Sequence, residues 1–352
     1  MANANTNTAL VIQYDSDNSP SLVKQDIPIQ TPGKRQVLVK ISHVAQNPTD
    51  IQSLDGRAFP AGGVLGCDFV GEVVELGQGV SKFKKGDLIS ALVWGGEIEG
   101  KGGYSQYCLA EEDIAFIVPR FISRESASTV PLALTTAWLA LFSSNSLGIP
   151  KKVDSERSIL VWGGSSSVGL YTIQLAKLFG FQIFTTCSPK HHDLVKSYGA
   201  NHVFDYKEAN VVDQIRSAAV HSDLVYTFDT IGTVQSSKQA SECLEAGKGN
   251  LCTVRPGPAN TEGVVGGTKI SDVLVWTAFL KDHQYKDFKY PACQEDHDLA
   301  KELNTKIPRW LEEGSITPSN TKLYNGLDCV EKGFQEYRDG HISAYKIVYQ
   351  VA

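Results

Sequence analysis

The stretch ILVWGGSSSVGL, residues 159–170, decides the fold of this 352-residue chain. An apolar run of β-forming residues leads into a glycine-serine turn, and the pattern after the turn predicts an amphipathic helix. A dinucleotide pyrophosphate bound at such a corner needs a tight turn, close backbone approach and N–H donors at a helix N-terminus. The candidates are Gly163 and Gly164 for the turn, Ser165, Ser166 and Ser167 as donors, and Gly169 for close helix packing.

On the carboxyl side of this corner, strand-like runs continue to alternate with segments of helical length. One predicted helix face carries Val168, Tyr171, Leu175 and Leu178 at three- and four-residue steps. This alternation predicts an α/β Rossmann domain, with a doubly wound parallel sheet and helices on both sides, over residues 128–290. The predicted strands are Ser158–Trp162, Phe181–Thr186, His202–Phe204, Leu224–Phe228 and Leu251–Val254.

The flanking sequence has a different texture. Before about residue 127, short β-rich runs are separated by glycine and proline turns, which predicts a mostly β domain. After residue 291, two helical stretches, Leu299–Glu313 and Leu327–Asp339, precede a final strand, Ala344–Val351. We expect that strand to return to the first domain's sheet, so residues 1–127 and 291–352 form one domain. The early strands are Gln36–Ile41, Phe69–Leu76 and Leu88–Val93.

Composition narrows the function classes. The net charge of −6 is spread without a long charged run, so neither nucleic acid nor a membrane surface is an expected partner. The seven cysteines are scattered and form no C-x-x-C pair, which is typical of reduced, buried thiols. The first fifteen residues carry no pattern of a leader, and the most apolar run, Val273–Leu280, is too short to span a bilayer. We therefore expect a cytoplasmic protein.

The residues after the second predicted strand of the Rossmann domain select the cofactor. An acidic residue there would bind the ribose hydroxyls of NAD. The chain instead reads Ser188, Pro189, Lys190, His191, and the first carboxylate is Asp193. A hydroxyl and a cation suit a 2′-phosphate, so the sequence predicts NADPH. His191 contributes only to the extent that it is protonated.

Seven segments, in order, make the sequence resemble the medium-chain dehydrogenase/reductase superfamily, and within it the zinc-independent quinone and enoyl reductase branch. The nearest resemblance is to fungal trans-acting enoyl reductases of polyketide biosynthesis. It implies a GroES-like, mostly β catalytic domain beside the Rossmann domain, and a monomer or homodimer. The segments are NPTD (47–50), GCDFVGEVVELGQGVSKFKKGD (66–87), GGYSQYCLAEED (102–113), LALTTAW (132–138), GGSSSVG (163–169), FDYKE (204–208) and GHISAYKIV (340–348).

The resemblance also implies which residues contact the ligands. It assigns Thr136 to fixing the nicotinamide and Gln52 to a polar contact at the reacting end. The implied NADPH contacts are Thr49, Ser165, Ser166, Ser167, Val168, Ser188, Pro189, Lys190, His191, Tyr206, Val254, Arg255, Ser343 and Ala344. The implied acyl-binding surface covers residues 131–137 and 273–279, in particular Pro131, Leu132, Thr135, Val275, Trp276 and Phe279.

Zinc alcohol dehydrogenases share this fold, and the resemblance allows their metal positions to be compared with this chain. Those positions read here as Asn47, the pair Cys67-Asp68, and Leu132. One thiol and one carboxylate form a poor tetrahedral set for a catalytic zinc, and the lobe that carries structural zinc has no counterpart. The sequence therefore predicts a reductase without zinc.

Without a Lewis acid, the reaction that fits is conjugate reduction: hydride attacks the β-carbon of an enone or enoyl thioester, and the enolate is protonated at the α-carbon. Some trans-acting reductases have a lysine where this chain has Gln52. A glutamine amide can donate a hydrogen bond but cannot deliver a proton, so water or another residue must protonate the enolate. Two alternatives stay open, a reductase of quinones or small enones without a carrier protein, and an NADPH-binding protein without turnover.

Overall fold

The computed structural model describes residues 6–98, 100–152, 157–245, 247–285 and 287–351. The expectation of no leader rests on the first fifteen residues, and residues 1–5 lie outside the described residues. The chain divides into a first unit, Met1–Leu132 with Asn304–Ala352, and a second unit, Ala133–Leu303. The first boundary, after Leu132, falls 5 residues later than the predicted 127, and the second, after Leu303, falls 13 residues later than the predicted 290. Each lies inside a continuous helix, where the sequence pattern offers no break.

The elements of the first unit are mainly strands. They are β1 (Thr6–Tyr14), β2 (Pro20–Pro28), β3 (Gln36–Ala45), α1 (Pro48–Asp55), β4 (Asp68–Leu76), β5 (Leu88–Leu92), β6 (Tyr107–Glu111), β7 (Ala115–Ile117), α2 (Arg124–Ala127), and, after the second unit, β16 (Thr321–Asn325), α9 (Val330–Arg338) and β17 (Lys346–Gln350).

The second unit begins within α3 and ends within α8. Its elements are α3 (Pro131–Phe142), β8 (Arg157–Trp162), α4 (Ser167–Leu178), β9 (Phe181–Cys187), α5 (His192–Tyr198), β10 (His202–Asp205), α6 (Val211–Ala218), β11 (Tyr226–Asp229), α7 (Val234–Glu242), β12 (Asn250–Thr253), β13 (Lys269–Asp272), β14 (His283–Tyr285), β15 (Phe288–Tyr290) and α8 (Gln294–Glu312).

The main sheet of the first unit runs β16-β17-β3-β4-β5-β7, with β6 also paired to β3. Strand β17 pairs antiparallel with β3, which places Val348 opposite Ala45. The prediction that the last strand returns to the first domain's sheet is thus confirmed. The β1–β2 hairpin lies outside this sheet and was not predicted.

The sheet of the second unit has the order β10-β9-β8-β11-β12-β13, and every pairing in it is parallel. In this doubly wound order, the chain runs outward from β8 through β9 to β10 and then crosses back to β11 on the other side of β8. A crevice therefore opens at the carboxyl ends of β8 and β11, where such sheets bind dinucleotides. The Rossmann prediction is confirmed, and the residues after β8 lie at this switch point.

Helix α4 differs in one respect from the predicted single apolar face. Tyr171 and Leu175 are buried, but Leu178 is 38% exposed and Val168 is only half-buried. Every residue from 169 to 176 is buried, so the helix is covered on nearly all sides. The three- and four-residue spacing identified the helix but not its extent of burial.

No helix among the described residues is long and apolar enough to cross a membrane.

Candidate active site

The glycine-rich turn after β8 is shaped by close backbone approach. Gly163 has a φ of 88°, in the left-handed region that favours glycine. A Cβ on Gly164 would lie 2.0 Å from Oγ1 of Thr185, and a Cβ on Gly169 would lie 2.4 Å from the carbonyl oxygen of Gly163. The turn therefore packs against β9 on one side and against α4 on the other, and both contacts require glycine.

Ser166 and Ser167, two of the serines of this turn, have different roles. The Ser166 side chain caps α4 by accepting from the Gly169 N–H at 2.9 Å, so it is already engaged within the turn. Ser167 begins the helix, and the N–H groups of a first helical turn have no acceptor in their own helix. These groups and the helix dipole form the part of the turn suited to an anion.

Thr230 fixes this turn from the neighbouring strand, and sequence reasoning missed it. It follows β11, and its Oγ1 lies 2.8 Å from the Ser166 Oγ and 3.0 Å from the Gly163 carbonyl oxygen. A threonine directly after a buried strand is the available signal, because the carboxyl ends of parallel strands meet at one edge of the sheet.

The predicted 2′-phosphate residues lie at the carboxyl ends of β9 and β10. Ser188 is half-buried and precedes a short 3-10 helix, Pro189–His191, in which Lys190 is exposed. Tyr206 directly follows β10, which pairs in parallel with β9, and is 41% exposed. Burial and the charge of Lys190 lower the pKa of His191, so its imidazole is mainly neutral at pH 7 and becomes a cation only at lower pH.

A carboxylate that is distant in sequence from Ser188 lies beside this edge of the sheet. Asp205 is the last residue of β10 and pairs in register with Cys187. Its Oδ1 accepts the N–H of Lys207 at 3.0 Å, which ties the side chain into its own turn. Asp205 lies 18 positions after Cys187, the last residue of β9, so a motif limited to the residues directly after β9 does not include it.

Arg255, another predicted contact, follows β12 together with Val254. Its Nε donates to the Gly232 carbonyl oxygen at 3.1 Å, so the guanidinium covers the loop after β11. Asp229, the last residue of β11, fixes the same loop, because its Oδ1 accepts the N–H groups of Ile231 and Gly232. The carboxyl ends of five neighbouring strands, β10, β9, β8, β11 and β12, thus carry predicted or turn-fixing residues.

The predicted nicotinamide and acyl residues of the second unit are buried. Thr135 and Thr136 lie on α3 with exposures of 1% and 7%. Val275 and Trp276 lie in a 3-10 helix, Val275–Ala278, which Phe279 follows. All three are less than a tenth exposed, so their side chains are packed into the apolar interior.

In the first unit, α1 carries Thr49 and Gln52. The helix starts after Asn47, whose N–H donates to Asp50 Oδ2 at 2.8 Å, and Pro48 occupies the first turn, where its missing N–H costs nothing. The Gln52 Nε2 donates to the Tyr337 hydroxyl on α9 at 2.8 Å. This hydrogen bond fixes the direction of the Gln52 side-chain amide.

A buried polar cluster lies beneath α1. Asp50 accepts from the Gly66 N–H at 3.2 Å, from the Tyr104 hydroxyl at 3.0 Å and from the Cys67 thiol at 3.4 Å. Burial raises the pKa of Asp50 to about 6 despite these donors. Burial and the neighbouring Asp50 raise the pKa of Cys67 well above its usual value, so the thiol stays protonated.

Beside this cluster lies an ion pair that the sequence analysis missed. The Lys346 Nζ lies 2.8 Å from both Asp68 Oδ2 and Asn47 Oδ1. The other carboxylate oxygen, Asp68 Oδ1, accepts the Leu132 N–H at 2.6 Å. The available signal was a lysine at the start of a mainly apolar final strand.

These contacts decide whether a catalytic zinc fits. Among the four compared positions, Asn47 and Asp68 already bind an ammonium, Cys67 keeps its proton, and Leu132 offers no ligand atom. Zinc prefers thiolate, imidazole and free carboxylate ligands. The described residues also contain no group of three or more histidine, cysteine or acidic side chains placed to hold a metal. The residues present do not fit zinc.

The predicted contacts Ser343 and Ala344 lie in the turn before β17. Both are half-buried, and Ala344 adopts a φ of 58°, which is unusual for a residue with a Cβ. Non-glycine residues in this region are concentrated at sites where the surrounding structure holds them.

A Rossmann unit with a glycine-rich phosphate turn, joined in one chain to a mostly β unit with a buried polar cluster, defines an oxidoreductase of the two-domain dehydrogenase class. Family models agree: an alcohol dehydrogenase GroES-like domain matches residues 33–120, and a zinc-binding dehydrogenase domain matches residues 167–267. The chain belongs to the medium-chain dehydrogenase/reductase superfamily, whose members bind NAD(P).

Individual relatives extend over nearly the whole chain. A zinc-type alcohol dehydrogenase-like protein of Schizosaccharomyces pombe is 32% identical, covering 96% of this chain and 98% of its own length. A trans-enoyl reductase of Alternaria alternata is 30% identical, with coverage of 98% and 99%. Among solved structures, the CurK enoyl reductase aligns with a TM-score of 0.76 at 17% identity, covering 98% and 99%, and shares the fold.

Proposed function

We propose that this protein is a zinc-independent, NADPH-dependent reductase of carbon–carbon double bonds conjugated to a carbonyl or thioester. The observation that carries the proposal is the buried Lys346 ammonium bound to Asn47 and Asp68. Two of the four positions that could supply metal ligands are engaged by a cation. A hydride acceptor at this site must therefore carry its own electron sink, as an enone or enoyl thioester does.

The second unit supplies the residues for NADPH. The N-terminus of α4 suits the pyrophosphate, and Ser188, Lys190 and Tyr206 at the ends of β9 and β10 suit the 2′-phosphate. Thr136 would orient the nicotinamide. When bound, NADPH supplies the hydride that adds to the β-carbon of the substrate.

Protonation of the resulting enolate falls to a group other than Gln52. Its amide can donate a hydrogen bond toward a developing enolate oxygen but has no proton to give. Its Nε2 also donates to Tyr337, which fixes the direction of the amide. We assign the proton at the α-carbon to water.

Similarity to fungal trans-enoyl reductases over nearly the whole chain supports an acyl substrate of the polyketide type, delivered by a synthase acting in trans. Within the second unit, the apolar residues Val275, Trp276 and Phe279 would provide part of the acyl-binding surface. A carrier-bound enoyl thioester should therefore be a better substrate than a free quinone.

The first prediction joins metal content to activity. The purified protein should contain less than about 0.1 zinc per chain, because the donor set does not fit the metal. NADPH oxidation with an enoyl thioester should continue unchanged in strong chelator, whereas a saturated ketone should give no oxidation. Elemental analysis and absorbance at 340 nm measure the two quantities.

One zinc per chain, with reduction lost on its removal, would overturn the proposal. Oxidation of a simple alcohol would also overturn the proposal. In this class of enzyme a zinc ion activates the alcohol as a Lewis acid, and here the Lys346 ammonium occupies two of the zinc-ligand positions. No turnover with any enone or enoyl thioester, together with tight NADPH binding, would favour the non-catalytic alternative.

A further inference from the structure

The ion pair between Lys346 and Asp68 is almost completely removed from solvent. The exposed fractions of the two side chains are 3% and 0%. Taking two charges out of water has a cost that their attraction often fails to recover, so an apolar pair of similar volume would stabilise the fold as well or better. Stability alone therefore does not explain why charges occupy this position.

The pair is also fully engaged with backbone and side-chain partners. The Lys346 ammonium reaches Asn47 Oδ1 and Asp68 Oδ2 at 2.8 Å each and the Thr129 carbonyl oxygen at 3.4 Å. Asp68 accepts from the Asn47 amide at 3.0 Å and from the Leu132 N–H at 2.6 Å. Three ammonium protons face three acceptors, so these groups have one mutually consistent arrangement.

Three chain segments of predicted ligand contacts meet at this pair. Asn47 precedes α1, which carries Thr49. Leu132 lies in the first turn of α3, and its backbone N–H is held directly by Asp68. The third segment is the turn before β17, where Ala344 keeps its left-handed φ of 58° two residues from Lys346.

We infer that Lys346 is a positioning residue for the reaction. Its buried ion pair with Asp68 holds the start of α1, the start of α3 and the turn of residues 343–344 in the arrangement that turnover needs. This inference rests on the proposed function. A displacement of about 1 Å in a reacting group can lower turnover about a hundredfold, so loosening the pair should reduce kcat more than it raises KM.

Variants of the pair separate its effect on turnover from its effect on the stability of the fold. Lys346→Met alone leaves a carboxylate buried without its partner and is expected to unfold at a lower temperature. The double variant Lys346→Met/Asp68→Asn removes both charges, and the new amide oxygen can still accept the Leu132 N–H. Its melting temperature should return to within a few degrees of the wild-type value, but kcat with an enoyl thioester should stay at least tenfold lower. Lys346→Arg, which keeps the cation, should recover part of kcat.

Lys101 offers a matched control in the same unit. It is also buried and pairs at 3.2 Å with Glu111, whose side chain is 29% exposed, and neither residue is a predicted ligand contact. Lys101→Met/Glu111→Gln should change kcat less than twofold. Wild-type kcat in the Lys346→Met/Asp68→Asn protein, or an equal loss in the Lys101 control, would overturn the inference.

A direct probe keeps this test independent of the enoyl substrate. Hydrogen exchange of the amides in α1 and around Leu132 should accelerate in the Lys346 double variant and not in the Lys101 control. Unchanged exchange would reject the positioning role. If the wild-type protein reduced no enone at all, the proposed function would fail, while the exchange result would still report on the ion pair.

Discussion

Replacing Gly169 with alanine should weaken NADPH binding about tenfold to a hundredfold. In most helices this change stabilises by roughly 1 kcal/mol. Here the new Cβ would lie 2.4 Å from the Gly163 carbonyl oxygen, so the turn and α4 must move apart. Overpacking of this kind costs about 1–3 kcal/mol, and each 1.4 kcal/mol in affinity is about one factor of ten. Titration of intrinsic fluorescence with NADPH measures the dissociation constant.

Gly266 provides the matched control for this substitution. No atom lies within 4 Å of a Cβ built there, so Gly266→Ala should leave the dissociation constant within about twofold of wild type. Thermal unfolding of both variants separates a local effect on the turn from general destabilisation. Wild-type NADPH affinity in Gly169→Ala would contradict the placement of the pyrophosphate at this turn.

Lys190→Ala should weaken NADPH about tenfold to a hundredfold and leave NADH nearly unchanged. A charge-assisted bond to a 2′-phosphate contributes on the order of 1.5–3 kcal/mol. Ser188→Asp should discriminate further, because a carboxylate repels the phosphate and accepts bonds from a free ribose diol. Since burial and Lys190 lower the pKa of His191, the NADPH preference should change little between pH 7 and 9. The ratio of kcat/KM for the two cofactors is the measurement.

Lys196, which is exposed in the last turn of α5, is the control for surface charge. Lys196→Ala removes the same charge without touching the 3-10 turn, so the cofactor ratio should stay within about twofold of wild type. Equal efficiency of NADPH and NADH in the unmutated protein would refute the 2′-phosphate assignment. An unchanged ratio in both Lys190→Ala and Ser188→Asp would move the phosphate site elsewhere.

Short apolar runs in the sequence predicted the individual strands of the Rossmann unit. Strands β8 and β9 differ from the predicted ranges by one residue at one end, because an apolar run bounded by glycine or serine is visible in the chain itself. The glycines of the turn were identified for the same reason. The role of Ser166 was not, because a serine at a helix start serves equally well as a cap or as a phosphate donor.

The contacts that sequence reasoning missed are those between distant parts of the chain. Lys346 and Asp68 are separated by 278 positions, and a lysine in a mainly apolar strand does not show which residue it pairs with. Thr230 reaches the glycine turn only because β11 pairs with β8. Such pairs follow from sheet order, which the alternation of strands and helices restricts but does not fix.

The most direct test of the central claim is the destination of the hydride. NADPH carrying deuterium in both C4 positions of the dihydronicotinamide is incubated with an α,β-unsaturated thioester in ordinary water, and the product is examined by NMR and mass spectrometry. The account predicts one deuterium at the β-carbon, a solvent proton at the α-carbon and an intact thioester. Deuterium at the carbonyl carbon, or a product without deuterium, would contradict it.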